Sequence, residues 1–236
     1  MRQRDWLTYI PLSCLLTILL LALFTWAGSV YGLEVVNLLS AEGIRWMFSS
    51  VVPNITRSPL PILLLTLMAL SALDGSGMLD AVRGHTNSKQ KNAMVIALLF
   101  LTLSAVAIAC MTLLPGAPLL NPLGTLSHSP FTRGLPAVAL IIVIITADIY
   151  GYTSGRLLTV ADVVKADTQL IADIASYFLS FIIIAQMVAC FDYSQVFLLI
   201  DDNSNLWFLI FEYAAYLIPL LLHLITHYRN KEKTFN

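Results

Sequence analysis

Long apolar runs alternate with short polar segments along the chain. A helix needs about 20 mostly apolar residues to cross the hydrocarbon layer of a bilayer, and six segments meet this requirement. Alternation with a period of two is absent, and an open strand in lipid would leave its backbone polar groups unpaired. The pattern therefore predicts an all-α polytopic membrane protein with about six transmembrane helices, at residues 7–27, 60–79, 93–114, 135–152, 170–190 and 206–226.

The composition supports this interpretation. Of the 236 residues, 58% are hydrophobic and 11% are charged, and the mean hydropathy is +0.81. A soluble domain has about 45–50% apolar and about 25% charged residues, so the surplus of apolar surface requires lipid. A net charge of −1 gives no reason to expect a nucleic-acid partner. We expect a single membrane domain over residues 1–236, with the lipid bilayer as its environment.

The distribution of Lys and Arg predicts the orientation of the spans. If the N-terminus is cytoplasmic, the inner segments contain ten basic residues and the outer segments contain three, namely Arg45, Arg57 and Arg133. Both termini are then cytoplasmic, and the chain is expected in a bacterial inner membrane. A cleaved signal peptide is the alternative for the first segment, but its apolar run exceeds the usual core of about 7–15 residues.

Residues 37–54, between the first two spans, have the pattern of a short amphipathic helix. Ser40 is a suitable N-cap, and Glu42 lies in the first turn, near the positive end of the helix dipole. Trp46 is expected at headgroup depth, and Pro53 is expected to end the helix. The stretch predicts an interfacial helix over about residues 40–52 on the outer side, with a plain surface connector as the alternative. Its apolar face would contain Ile44, Met47, Phe48, Val51 and Val52.

The second span contains a polar interruption, Asp74-Gly75-Ser76-Gly77. Transporters bind ligands where helices are broken near the middle of the bilayer, because a broken helix offers free backbone groups. The alternative is that these residues end the helix at the cytoplasmic face. In the last span, Pro219 is interpreted as a kink.

Ionisable residues within the spans are the candidates for substrate or ion binding. An ionised carboxylate at the bilayer centre costs about 2.5–3.5 kcal/mol on insertion scales, so it needs a reason to be there. Asp148 lies in the fourth span, with pairing to Arg156 two turns on as the alternative to a functional role. Asp173 lies early in the fifth span, where it is either functional or a hydrated interfacial carboxylate. Glu212 and His223 share a face of the last span and predict a proton path or an interhelical hydrogen bond.

No residue pattern points to catalysis or to metal binding. The sequence has no Gly-x-Ser-x-Gly, His-Glu-x-x-His or Walker pattern. The cysteines lie inside apolar runs at a spacing that fits no zinc or redox motif, and we expect them to pack in lipid or in the core. We therefore expect no enzyme activity, no cofactor and no metal. The residues considered were His85, His128, His223, His227, Cys14, Cys110 and Cys190.

Three blocks in the same order resemble the AbgT family, the p-aminobenzoyl-glutamate transporters. The first is "NLLSAEGIRWMFSSVVPNITRSPLPILLLTLMALSALDGSGMLDAVRG", the second is "LLNPLGTLSHSPFTRGLPAVALII", and the third is "DVVKADTQLIADIASYFLSFIIIAQMVACFDYSQV". Together they include about half of the chain. The family-motif positions are Gly43, Arg45, Trp46, Asn54, Ser76, Gly77, Asn121, Pro122, Ser129, Pro130 and Phe131, and Asp74 is the acidic residue that precedes Ser76.

The resemblance implies an ion-gradient-driven transporter for p-aminobenzoyl-glutamate or a related aromatic acid. It also implies a dimeric fold with nine spans and two re-entrant hairpins that carry most of the binding residues. Here residues 85–119 leave room for one span where the family has its first hairpin, and nothing after Thr226 corresponds to the second. We therefore expect a shortened form, with possible homodimer or hetero-association with another membrane chain. The alternative function is a transport-incompetent scaffold or partner subunit derived from the family.

Overall fold

The computed structural model describes residues 9–84, 87–113, 130–199 and 205–235. Apart from short turns and one 3₁₀ turn at Val196–Leu199, these residues form α-helices, with no strand among them. The all-α prediction is therefore confirmed. The helices are α1 (Tyr9–Val30), α2 (Ala41–Ser49), α3 (Val51–Arg57), α4 (Leu60–Gly75), α5 (Met78–Val82), α6 (Ser88–Leu113), α7 (Pro130–Ser154), α8 (Val160–Asp173), α9 (Ala175–Ser194) and α10 (Asn205–Phe235).

Five helices in the described part of the chain are long and apolar enough to cross a membrane: α1, α6, α7, α9 and α10. A sixth span is counted if α3 and α4 together form one. The sequence prediction of about six spans agrees with this range. The cysteines are free, and Cys14 and Cys190 are buried whereas Cys110 is exposed on α6.

The helix that corresponds to the predicted fifth span begins at Ala175, later than the predicted residue 170. Residues 170–173 belong to the separate helix α8, and Ile174 has non-helical backbone angles before α9 begins at Ala175. Apolar composition continues across this break, so hydropathy alone could not locate it. Asp173 therefore ends α8 as an exposed residue and accepts a hydrogen bond of 3.0 Å from Gln169 Nε2.

The chain divides into two compact units, one made of Met1–Leu60 with Ile174–Asn236 and the other of Pro61–Asp173. In the first unit, α1 packs along α9 through Leu21, Ala22 and Cys190. The loop after α1 is fixed to this pair because the Leu38 N–H donates to Thr25 Oγ1 over 3.3 Å. Helix α10 also packs against α9, where the hydroxyl of Tyr177 reaches the carbonyl of Tyr216.

Small side chains bring the helices of the second unit together. Ala93 and Ala97 on α6 are completely covered and pack with Tyr150 on α7. On its other side, α7 contacts Ala69 and Ala72 on α4. Small residues allow close approach of helix backbones, which is the usual basis of helix association in lipid.

Candidate functional site

The break at the end of α4 is real and depends on glycine. Gly77 has φ +76°, a left-handed conformation that side chains rarely adopt. A Cβ atom on Gly77 would also collide with the guanidinium of Arg156. Ser76 is completely buried, and helix α5 begins directly after Gly77. The chain therefore leaves the helical path where the sequence predicted an interruption.

Helix α8 lies against the last turns of α4. Ser71 Oγ donates to the carbonyl of Ala166 and accepts from the N–H of Leu170 over 3.0 Å, so it joins two successive turns of α8. One turn further along α4, a Cβ atom on Gly75 would lie 2.6 Å from Ala166 Cβ. Helix α8 can approach this closely because Ser71 supplies the hydrogen bonds and Gly75 has no side chain.

Asp148 on α7 meets Asp167 on α8. Their carboxyl groups lie within hydrogen-bonding reach of each other, and one oxygen of each, Oδ1, is buried without a partner. Burial raises the pKa of Asp167, and the hydrogen bond from Asp148 acts in the opposite direction. The sequence pattern did not indicate Asp167 as a candidate residue, because it lies outside the apolar runs, beside the charged residues of an amphipathic helix.

The predicted alternative of an Asp148–Arg156 pair is wrong. Arg156 extends over Gly77 and pairs with Asp80 at 3.3 Å, with both side chains about half exposed. Asp74 is half-buried in the last turn of α4, so α4, α7 and α8 each contribute a carboxylate to this part of the unit. The region therefore combines a helix end, a glycine turn and carboxylates from three helices.

The first turn of α8 is capped in a way that the sequence could have indicated. Thr159 Oγ1 accepts from Asp162 N–H over 3.2 Å, while Asp162 Oδ2 accepts from the Thr159 and Leu158 N–H groups over 2.9 and 3.2 Å. This reciprocal arrangement is a capping box, with the Thr-x-x-Asp spacing as its signal. Hydrogen bonds from the Thr159 hydroxyl and from these backbone groups lower the pKa of Asp162.

Glu212 and His223 have different neighbours in the structure, and the proton path between them stays a prediction. Buried His223 donates from Nδ1 to the carbonyl of Pro219, one turn earlier in the same helix, over 2.9 Å. Its ring meets that of Tyr177 edge to face, with centroids 5.5 Å apart. Half-buried Glu212 instead experiences the like charge of Asp192 on α9, which repels an ionised carboxylate. Among the described residues, the hydrogen bond between α9 and α10 runs from the Tyr177 hydroxyl to the Tyr216 carbonyl, over 3.0 Å.

The interfacial segment has the predicted start and a different end. Ser40 Oγ accepts from the Gly43 N–H over 3.0 Å, which confirms the cap. A Cβ atom on Gly43 would lie 2.5 Å from the Leu38 carbonyl oxygen, so the helix start requires glycine. Pro53 does not end the helix. The break falls at Ser50, and Pro53 lies in the first turn of α3, where the missing N–H costs no hydrogen bond.

The side chains of α2 and of the start of α3 differ in how far they are exposed. Trp46 turns inward and stacks on Tyr193 of α9, with ring centroids 4.0 Å apart and 14° between the planes. Phe48 and Val52 remain 78% and 69% exposed, and Arg45 is exposed as well. The headgroup depth predicted for Trp46 stays a prediction, and the structure adds a contact of its ring with protein.

An amide network joins the break between α2 and α3 to α9. Buried Asn54 donates from Nδ2 to Gln186 Oε1 over 3.0 Å, and Gln186 donates from Nε2 to the Met47 carbonyl over 3.2 Å. Gln186 belongs to the Ala-Gln end of the third motif block. The structure thus brings residues of the first and third blocks together.

The second motif block is described only in part. Asn121, Pro122 and Ser129 lie outside the described residues. The backbone of Pro130 begins α7, and Phe131 is half-buried in its first turn. His85 and His128, for which no metal site was predicted, also lie outside the described residues.

These features define a polytopic helical membrane protein with polar groups gathered at the end of a helix. The chain belongs to the AbgT putative transporter family, whose sequence model matches residues 83–204, just over half of its length. Its fold is similar to the crystal structure of the Alcanivorax borkumensis YdaH transporter, described as having an unusual topology. The two share 18% identity, with a TM-score of 0.69 over 84% of this chain and 73% of that chain. No match to a curated protein reaches significance.

Proposed function

We propose that the protein carries an aromatic acid, such as p-aminobenzoyl-glutamate, across the membrane at the expense of an ion gradient. Membership of a transporter family supports transport as the class of activity. The observation that carries the proposal is that α8 packs against the end of α4, where Ala166 meets Gly75, while Asp167 of α8 meets Asp148 of α7. The substrate class comes from the family resemblance in the sequence.

The chemistry of this region suits the coupling ion better than the substrate. The C-terminal end of a helix carries partial negative charge on its free carbonyls, and α4 ends at Gly75. Carboxylates of Asp74 and Asp148 add negative charge, which attracts a proton or a metal cation and repels an organic acid. We therefore assign Asp148 and Asp74 to ion binding, with the substrate bound elsewhere.

Uptake of radiolabelled p-aminobenzoyl-glutamate into proteoliposomes tests this function. We expect uptake only with an imposed ion gradient, and a loss of at least tenfold in Asp148→Asn. The matched control is Glu34→Gln, which changes an exposed carboxylate in the loop after α1. Folded protein without uptake above empty liposomes, under proton and sodium gradients, would overturn the proposal.

A scaffold or partner subunit is the second candidate function. It is favoured by α6, a single continuous helix at Ser88–Leu113 where the family resemblance implies a hairpin. Its test is association in the native membrane, by cross-linking followed by mass spectrometry. A stoichiometric complex with a different membrane chain would support this candidate, and a homodimer would be the assembly that the family resemblance implies.

The proposed location is a bacterial inner membrane with both termini in the cytoplasm. The excess of basic residues in the inner segments supports this orientation. Reporter fusions test it. A fluorescent protein fused after Asn236 should fluoresce, and a periplasm-dependent reporter inserted at the segment around residue 133 should be active. The opposite pattern would reverse the orientation.

A further inference from the structure

We propose that Asp148 and Asp167 bind one proton between them, and that this shared proton joins α8 to α7. The inference deepens the proposed function, because it identifies what the pair binds, and it takes its role in transport from that proposal. The geometry that carries it is the meeting of two carboxyl groups from two helices.

Two ionised carboxylates in contact repel each other, and burial makes this repulsion stronger. A single proton changes the contact into an O–H···O hydrogen bond in which one carboxyl donates and the other accepts. Like-charged carboxylates held close together bind one proton in this way in other proteins. The two Oδ1 atoms are buried without a partner, so the pair has no other source of hydrogen bonds on that side.

No basic side chain in the described part of the chain acts on this pair. Arg156, which lies just after the end of α7, is engaged with Asp80 of α5, and Lys165 on α8 acts on Asp162. The charged groups on the neighbouring helices include the carboxyl of Asp74 on α4 and the amine of Lys89 on α6. The amine nitrogen of Lys89 lies 2.7 Å from where a Cβ atom on Gly155 would be. The other titratable residues on the helices of this unit are Lys91, Cys110, Arg133, Tyr150, Tyr152 and Asp173.

The sign of the pH dependence follows from burial. Burial raises the pKa of Asp167, so the folded state holds the shared proton more tightly than the unfolded chain does. The stabilisation is complete below the ordinary pKa of an aspartate, about 3.9, and is lost as the pH rises through the raised value. Loss of the proton leaves α8 attached to α4 through Ser71 and Gly75, without its link to α7.

Infrared difference spectroscopy of the full chain in nanodiscs tests the shared proton directly. The wild-type protein should show a protonated carboxyl band that disappears as the pH rises. Asp148→Asn and Asp167→Asn should each abolish this band, because one proton serves both groups. Asparagine keeps the size of the side chain and can donate to the remaining carboxylate, so both variants should fold. Glu34→Gln, with its exposed site, should leave the band unchanged.

The inference is overturned if no carboxyl band titrates, or if either single substitution leaves the band intact. It is equally overturned if each substitution removes only half of a band of two carboxyl groups, since the two residues would then bind separate protons. The band is measured without substrate. A protein that shows it and fails to take up aromatic acids would refute the proposed function and leave the shared proton standing.

Discussion

The indole ring of Trp46 lies flat on the phenol ring of Tyr193, with centroids 4.0 Å apart. This contact fixes α2 to the end of α9 and adjoins the buried cluster of Leu21, Leu38 and Cys190. Tryptophan is a residue type that often lies at headgroup depth, and here it holds two helices of the protein together.

Removal of this stacked pair should destabilise the first unit. Stacking contributes about 0.5–1.5 kcal/mol beyond area burial, and Trp46→Ala also loses the contacts of the half-buried ring. We expect a lower Tm in detergent for Trp46→Ala, with most of the loss recovered in Trp46→Phe. Arg45→Ala, at the exposed neighbouring position, is the control. An unchanged Tm for Trp46→Ala would show that the stack is energetically irrelevant.

Substitution of Gly75 should separate α8 from α4. A methyl group there would lie 2.6 Å from Ala166 Cβ, and overpacking of this kind costs about 1–3 kcal/mol. We expect Gly75→Ala to lower Tm and to increase hydrogen exchange in α8. Gly134→Ala is the matched control, because the same methyl group would meet nothing within 4 Å on α7. Equal effects of the two substitutions would contradict the proposed contact.

Asn54 and Gln186 should be energetically coupled. Each amide satisfies the other, so loss of one leaves a buried polar group without its partner. Measured hydrogen bonds between membrane helices average about 0.6 kcal/mol and reach about 1.7 kcal/mol. A double-mutant cycle with Asn54→Ala and Gln186→Ala should give a coupling in that range, read from denaturant unfolding. Strict additivity of the two substitutions would argue against the bond.

Acid should open the start of α8. Because the capping hydrogen bonds lower the pKa of Asp162, its stabilising effect is present above about pH 3.9 and is lost as the pH falls through the lowered value. At pH 6, Asp162→Ala should show faster hydrogen exchange than the wild type at residues 160–163. At pH values below the lowered pKa this difference should disappear. A difference that persists at all pH values would mean that the carboxylate charge is not what holds the cap.

Local signals in the sequence were enough for the features that a single segment determines. Hydrophobic runs located the spans, Ser40 indicated a helix cap, and the Asp74–Gly77 interruption coincides with the end of α4. Each of these depends on residues close together in the chain, because caps, turns and membrane spans satisfy their own backbone groups locally. The family motifs worked for the same reason, since they are short and contiguous.

Tertiary structure decided which side chains meet. Sequence spacing suggested Arg156 as the partner of Asp148 because it comes about two helical turns later in the chain, but packing placed Asp167 of α8 beside Asp148. The same applies to Trp46: its residue type predicted headgroup depth, and only the structure shows that its ring stacks on Tyr193. Which side chains meet between helices depends on how each helix is rotated about its axis and on where it ends. The break at Ile174 could not be seen in the hydropathy pattern. An apolar sequence determines that a segment enters the membrane, whereas only packing between segments determines which of its polar groups come into contact.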